Sequence, residues 1–211
     1  MKKFIPFGAA LAGIALSAAA CSAPTSGSAV STSSPATQPA PAATASAPAP
    51  SAGWGLAVQG GGDRIKAAGL DVLRAEGAAE HFHAHLDVLV DGKPVTVPAD
   101  IGFSFNSAGQ PNGISALHSH DETGIIHIEA PTAGVTYTLG QFLTEWGVLD
   151  GTDANPGTAH SAQDGWKVAV NGVPHDGKIS DVVLKAHDEI VLFHGAAPSP
   201  LPASFTFPSG L

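Results

Sequence analysis

The sequence predicts an α+β fold, a small mixed β-sheet with one main helix and an N-terminal β-hairpin packed on it. Three observations carry that expectation. Residues 81–90 alternate, with Phe82, Ala84, Leu86, Val88 and Val90 on one side and His81, His83, His85, Asp87 and Leu89 on the other. This is the two-residue period of a strand with one buried face. Leu139, Phe142, Leu143 and Trp146 form an apolar stripe at helical spacing between Thr138, a capping residue, and Gly147, a stop. Asp91-Gly92 and Asn171-Gly172 each stand between apolar runs, as two-residue hairpin turns require.

The elements follow in order. Asp63 to Glu76 has Ile65, Val72 and Leu73 near helical spacing, with Asp63 as N-cap and Gly77 as stop, and reads as a short helix weakened by Gly69. The alternating strand then turns at Asp91-Gly92 into Val95-Thr96-Val97, which Pro98 ends. Residues 103–113 read as a loop or weak hairpin. Gly124 to Ala130 is a strand, residues 131–134 a turn, Val135 to Thr138 a second strand, and 139–147 the main helix. Trp166 to Val170, Val182 to Leu184 and Glu189 to Phe193 complete the sheet. This order, with the phrases VAVNGVP and LKAHDEIVLFHG, is similar to the β-grasp (ubiquitin-like) fold over about residues 124–195, and especially to small sulfur-carrier proteins. The resemblance bears on fold alone. A sulfur carrier works through a free C-terminal Gly-Gly, whereas His194-Gly195 here runs on into Ala196.

The N-terminal region predicts export. Lys2-Lys3, an apolar run from Phe4 to Leu16 and the small residues Ser17 to Ala20 have the form of a secretory signal over residues 1–20. The lone cysteine, Cys21, stands where bacterial lipoprotein precursors carry their lipid, so the segment resembles a lipobox. Ala18 and Ala20 would also suit ordinary signal cleavage and a secreted protein with a free thiol. Residues 21–53 continue as Ser, Thr, Ala, Pro and Gly without charge, too little apolar side chain to offset ordering entropy, and read as a flexible linker. Residues 54–197 are long enough for one core, and 198–211 read as a C-terminal tail. The formal charge of −9 becomes more negative once Lys2 and Lys3 leave, which disfavours nucleic acid as a partner.

From His81 onward the chain also resembles a family of exported bacterial (lipo)proteins of no established activity, on the blocks HFHAHLDVLVDGKPVTVPADIG and LHSHDETGIIHIEAP followed by YTLGQFLTEWG. That resemblance implies export and no particular reaction.

Ten histidines are present, and six fall in two groups. His81-x-His83-x-His85 lies on one strand face, where side chains two apart can tip onto one ion. His118-x-His120-Asp121 precedes His127-x-Glu129 on the next long strand. The expected metal ligands are His83, His85, His118, His120 and His127. His81, Asp87, Asp121 and Glu129 are expected to orient ring N–H groups. The two groups are expected to form a single site, reached by docking the N-terminal hairpin over the sheet face that carries His127. His160, His175 and His187, each alone in a polar context, read as ordinary surface residues, and His194 is left open, because in a β-grasp sheet the last strand pairs with the first, here 124–130, and could bring it near His127. The alternative for the whole set is a polar strand face whose histidines are merely hydrogen-bonded.

With Cys21 committed to lipid and Met1 leaving with the signal, no soft sulfur ligand remains, so the imidazoles suit Cu(II) or Zn(II), with copper slightly favoured. Imidazoles near their reference pKa of about 6.5 are expected to release the ion below about pH 6. The chain therefore reads as a lipid-anchored, extracytoplasmic protein that captures, buffers or hands over copper or zinc, with another metal-handling protein as partner. The alternatives are a metalloenzyme with an open coordination position and Glu129 or Asp121 as general base, or a non-metal interaction domain.

Overall fold

The alternating segment Glu80–Val90 forms an eleven-residue strand, β1, and everything else in the sheet is built around it. The structure, a computed structural model, describes residues 53–150 and 162–211. The signal, Cys21, nearly all of the linker and His160 lie outside the described residues. In chain order the elements are α1 (Gly61–Ala67), β1, β2 (Lys93–Val95), β3 (Phe103–Phe105), β4 (Pro111–Ile114), β5 (Leu117–His118), β6 (Ile125–Ala130), α2 (Leu139–Trp146), β7 (Trp166–Val170), β8 (Val173–Pro174) and β9 (Glu189–His194).

A seven-stranded sheet runs β5-β6-β1-β9-β7-β8, with β2 also paired to β1. Only the β1–β9 pair is parallel, so the fold is α+β with a mixed sheet. One edge of β1 is shared by two partners: residues 80–85 pair with β6 and residues 88–90 with β2. β3 and β4 make a separate two-stranded sheet. Both expected tight turns form, with Asp91 and Gly92 at φ 49° and 75° and Asn171 and Gly172 at 53° and 77°, the left-handed pair such hairpins need.

Helix α2 has the expected bounds because both ends are chemically marked. Thr138 and Gln141 form a reciprocal capping box, and Gly147 stops the helix at φ 83°. Its stripe of Leu139, Phe142, Leu143 and Trp146 is buried in one core with Ala84, Leu86, Val88, Ile126, Ile128, Ile190 and Leu192. These are the apolar sides of β1, β6 and β9, so the histidine side of the same strands faces away from the helix.

Four expectations are corrected. The hairpin of β1 and β2 is not a layer packed on the sheet; β1 is its central strand, because its middle residues are buried on both faces. The strand beside β9 is β1, not the 124–130 segment. Residues 135–138 and 182–184 are too short and irregular for strands and leave only an isolated bridge, Thr138 to Val183. Helix α1 spans residues 61–67 instead of 63–76. It begins after Gly60 and ends before Gly69, both at positive φ, and Leu73 beyond it bridges to Ile114. In the C-terminal segment Phe205 stacks on His85 and Phe207 on His187. Among the described residues no helix is long and apolar enough to cross a membrane.

Candidate metal centre

Register, more than fold class, makes the site. His118 of β5 lies opposite His127 of β6, and His127 lies opposite His83 of β1. Directly opposed residues on one face have Cβ atoms about 5 Å apart, so three imidazoles form a row across three strands. Their ring centroids are 5.3 Å apart for His118 and His127 and 4.6 Å for His127 and His83. The carbonyl of His83 accepts the backbone N–H of His187 at 2.7 Å, which ties β1 to the segment before β9. One residue pair along, His81 faces Glu129. His120, just past β5, folds back so that its ring lies 4.5 Å from that of His127.

The two histidine groups thus come together by edge-to-edge pairing of β1 with β6, and not by docking a hairpin over a face. Gly102 helps position β5 behind the row. Its φ is 79°, and a Cβ there would lie 2.1 Å from the Leu117 carbonyl oxygen, so only glycine permits this approach.

His83, His118, His127 and Glu129 are buried, whereas the side chains of His81 and His120 are about half exposed. Burial, followed by repulsion from neighbouring imidazoles, pushes His118 down to about 3 and His83 and His127 down to about 4. All three are neutral near pH 7, with a lone pair free to bind. In His118 the tautomer is fixed, since Nδ1 lies 3.1 Å from the Ser115 carbonyl and must donate to it. Nε2 is therefore the bare nitrogen, in the pattern usual for a metal-ligating histidine.

The donor atoms have chelate spacing. His118 Nε2 and His120 Nε2 are 3.2 Å apart, as are His81 Nε2 and His83 Nε2, and His81 Nε2 and Glu129 Oε1. Two ligands on one tetrahedral ion at ordinary metal–nitrogen distances are about 3.3 Å apart. Hydrogen bonds between one protonated and one bare nitrogen would satisfy the two histidine pairs without an ion. They would not satisfy His127 Nδ1, which is buried without a hydrogen-bond partner, 3.6 Å from Glu129 Oε1. The side chains of His118, His120 and His127, of His81, His83 and Glu129, and of Glu76, His118 and Glu129 each bring three donors within 4.8 Å of one another.

His85 stands in a different setting from the other expected ligands. It shares their strand face but sits one pair further along β1, opposite Ile125 and Glu189. Its Nε2 donates to the Thr123 carbonyl at 2.9 Å and its Nδ1 to the Glu189 carboxylate at 2.8 Å. Burial works against the charge, but these bonds outweigh it and raise the His85 pKa. The ring lies flat on Phe205, with centroids 3.6 Å apart. This is an imidazolium clamped between β1, β9 and the C-terminal segment, with both nitrogens occupied. Asp87 groups with His85 and Glu189, away from the row. Asp121 accepts from the backbone N–H and the hydroxyl of Thr123, so it shapes the turn between His120 and His127 without touching a ring N–H.

Sequence reasoning missed two residues. Glu76 lies 3.5 Å from His120 Nε2, delivered by the adjoining segment, where Gly77 N–H bonds the Glu129 carbonyl. No spacing in the sequence marks it. Phe103 presents its ring edge-on to His118 and His120, each at 5.8 Å. His187 is exposed, in keeping with its reading as a surface residue, and meets the row through its backbone N–H on the His83 carbonyl, with its ring on Phe207. Conversely, His194 pairs with Val90 and Trp166 at the far end of β9, where it is exposed, and takes no part.

No family model, curated protein or solved structure matches this chain.

Proposed function

We propose that this protein is an extracytoplasmic lipoprotein, anchored through Cys21, that binds copper or zinc on its histidine face in order to capture, buffer or deliver the ion. The observation that carries the reading is the row of neutral, buried imidazoles whose middle member, His127, keeps a buried nitrogen with no partner. Leaving such an atom unpaired costs about 1–3 kcal/mol, and a metal ion supplies the missing partner. The half-exposed His81 and His120 give the ion a way in and out, which suits exchange better than a closed structural site.

The histidine-only nitrogen set, with carboxylates beside it, fits Cu(II) or Zn(II) and gives no preference for Cu(I). The two sequence blocks that resemble exported bacterial proteins are the ones that supply β1, β5 and β6, so the resemblance and the site concern the same residues. The sheet order β2-β1-β9-β7-β8, with α2 between its two hairpins in sequence, supports reading the fold as a β-grasp. In that reading β3 to β6 are an insertion that brings the second histidine group.

Two measurements test the proposal. The full chain, purified without an affinity tag and exposed to Cu(II) and Zn(II), is expected to retain metal on gel filtration. Its removal by chelator is expected to lower stability by about 3 kcal/mol under conditions where free metal is about 100-fold above Kd. A chain that retains neither ion and melts identically with and without chelator would overturn the metal reading. Separately, Cys21→Ala is expected to move the protein from the membrane to the soluble fraction. Unchanged sedimentation with membranes would remove the lipid anchor.

A further inference from the structure

Resting on the metal-binding reading, we propose that the histidine face holds two metal ions, not one, with the Glu129 carboxylate bridging them. The donors sort into two trios on either side of that side chain. His81 and His83 of β1 complete one trio with Glu129, and His118, His120 and His127 form the other. Glu129 also belongs to a third trio with Glu76 and His118, so its carboxylate reaches both sides. Its Oε1 lies 3.2 Å from His81 Nε2 and 3.6 Å from His127 Nδ1. The nitrogen nearest it on the second side is the buried one that lacks any partner.

Ligand number gives the second reason. Five imidazoles and a buried carboxylate exceed the four positions of a tetrahedral ion, yet they match two ions with three or four protein ligands each. Charge gives the third. Two divalent ions among neutral rings in a largely buried site need anions beside them, and Glu129 between the trios and Glu76 at the outer edge of the second are the two on hand. A shared carboxylate holds ions about 3.5–4 Å apart, close enough for electronic coupling. The outward positions beside His81 and His120 are left for water.

The test uses the full chain loaded with Cu(II), with copper counted by elemental analysis and its coupling read by electron paramagnetic resonance; Zn(II) titration gives the stoichiometry independently. Two copper ions per chain, with a spin-coupled spectrum of reduced integrated intensity, are expected. Glu129→Gln keeps the shape of the side chain but cannot bridge, so the coupling is expected to disappear. His81→Ala and His120→Ala, both at half-exposed positions where folding is not at stake, are each expected to leave one uncoupled ion. One ion per wild-type chain for both metals, or two ions whose spectrum is that of isolated Cu(II), would overturn the bridged pair while leaving metal binding in place. No tight binding of either metal would overturn both readings. The wild-type spectrum decides the matter even if Glu129→Gln folds poorly.

Discussion

Replacing His127 by leucine is expected to abolish tight metal binding by the trio of His118, His120 and His127 and, at the same time, to stabilise the metal-free protein. His127 is the middle residue of the row, opposed by His118 on one side and His83 on the other. Removing it takes away a nitrogen donor and the ring against which the other imidazoles pack. Loss of an orienting group alone typically costs 10–100-fold in metal affinity, so loss of a central ligand is expected to cost more than about 100-fold. In the metal-free chain the signs reverse. His127 Nδ1 is buried without a partner, a penalty of about 1–3 kcal/mol that leucine, of similar volume, does not carry. The two effects are read separately, by metal titration and by urea unfolding of chelator-treated protein. A variant that is less stable without metal, or that binds as the wild type does, would show that His127 is an ordinary core histidine. The opposed signs are what distinguish a ligand from a packing residue.

The second large effect is acid destabilisation of the metal-free protein that begins above the pH at which carboxylates protonate. His83 and His127 hold pKa values of about 4 and His118 about 3 in the folded chain, against about 6.5 when unfolded. Below pH 6.5 the unfolded chain therefore takes up protons that the folded chain refuses. Stability falls with pH across the window from about 6.5 down to the folded values, and is fully present only above it. Three such groups acting together give a slope of up to roughly 4 kcal/mol per pH unit, enough to unfold a domain of ordinary stability before pH 4.

Two other groups act in the opposite sense. His85, raised by Glu189, contributes stability that is present below pH 6.5 and lost as pH rises through its folded value. Burial raises Glu145 well above the usual carboxyl range, so it favours the fold at low pH, and its contribution declines as pH rises past the unfolded value. Below pH 6.5 the His85 contribution is already complete, so only Glu145 offsets the three rings of the row, and stability falls on acidification. Urea midpoints at pH 7, 6 and 5 measure it directly, and a midpoint unchanged across that range would refute it. Bound metal should shift the transition to lower pH. The sequence-level expectation of release near pH 6 is accordingly revised downward, because the buried rings compete for protons less well than free imidazole.

Much of this was visible in the sequence, and the limit has a physical cause. Alternation over residues 81–90 and 125–130 assigns each histidine to a face, and the repeated His-x-His spacing marks both groups. Alternation cannot assign register, however. His83 and His85 are equivalent by period, and only the pairing of β1 with β6 puts one opposite His127 and the other opposite Ile125. The β1–β9 pairing joins residues a hundred positions apart, with no local signature to announce it. For the same reason Glu76 was invisible as a neighbour of the row. Local chemistry served best where it was complete, as at the Thr138 capping box. It failed at α1, where Gly60 and Gly69 bound the helix and overrode a longer apolar rhythm.

The position of β1 also sets the order in which the molecule can assemble. His118, His120 and His127 come from one β5–β6 hairpin, whose ends are close in sequence and whose closure is correspondingly fast. β1 precedes that hairpin by a long interval, and β9, its other neighbour, is among the last segments of the chain. Contacts spanning such separations form late, because the chain must first give up the entropy of closing large loops. The hairpin is thus the part of the histidine face with the lowest closure cost. On the proposed metal-binding reading, an ion held by that hairpin would give β1 a template along which to align, with His83 opposite His127. Metal supply would then govern not only what the finished protein carries but how quickly it becomes finished.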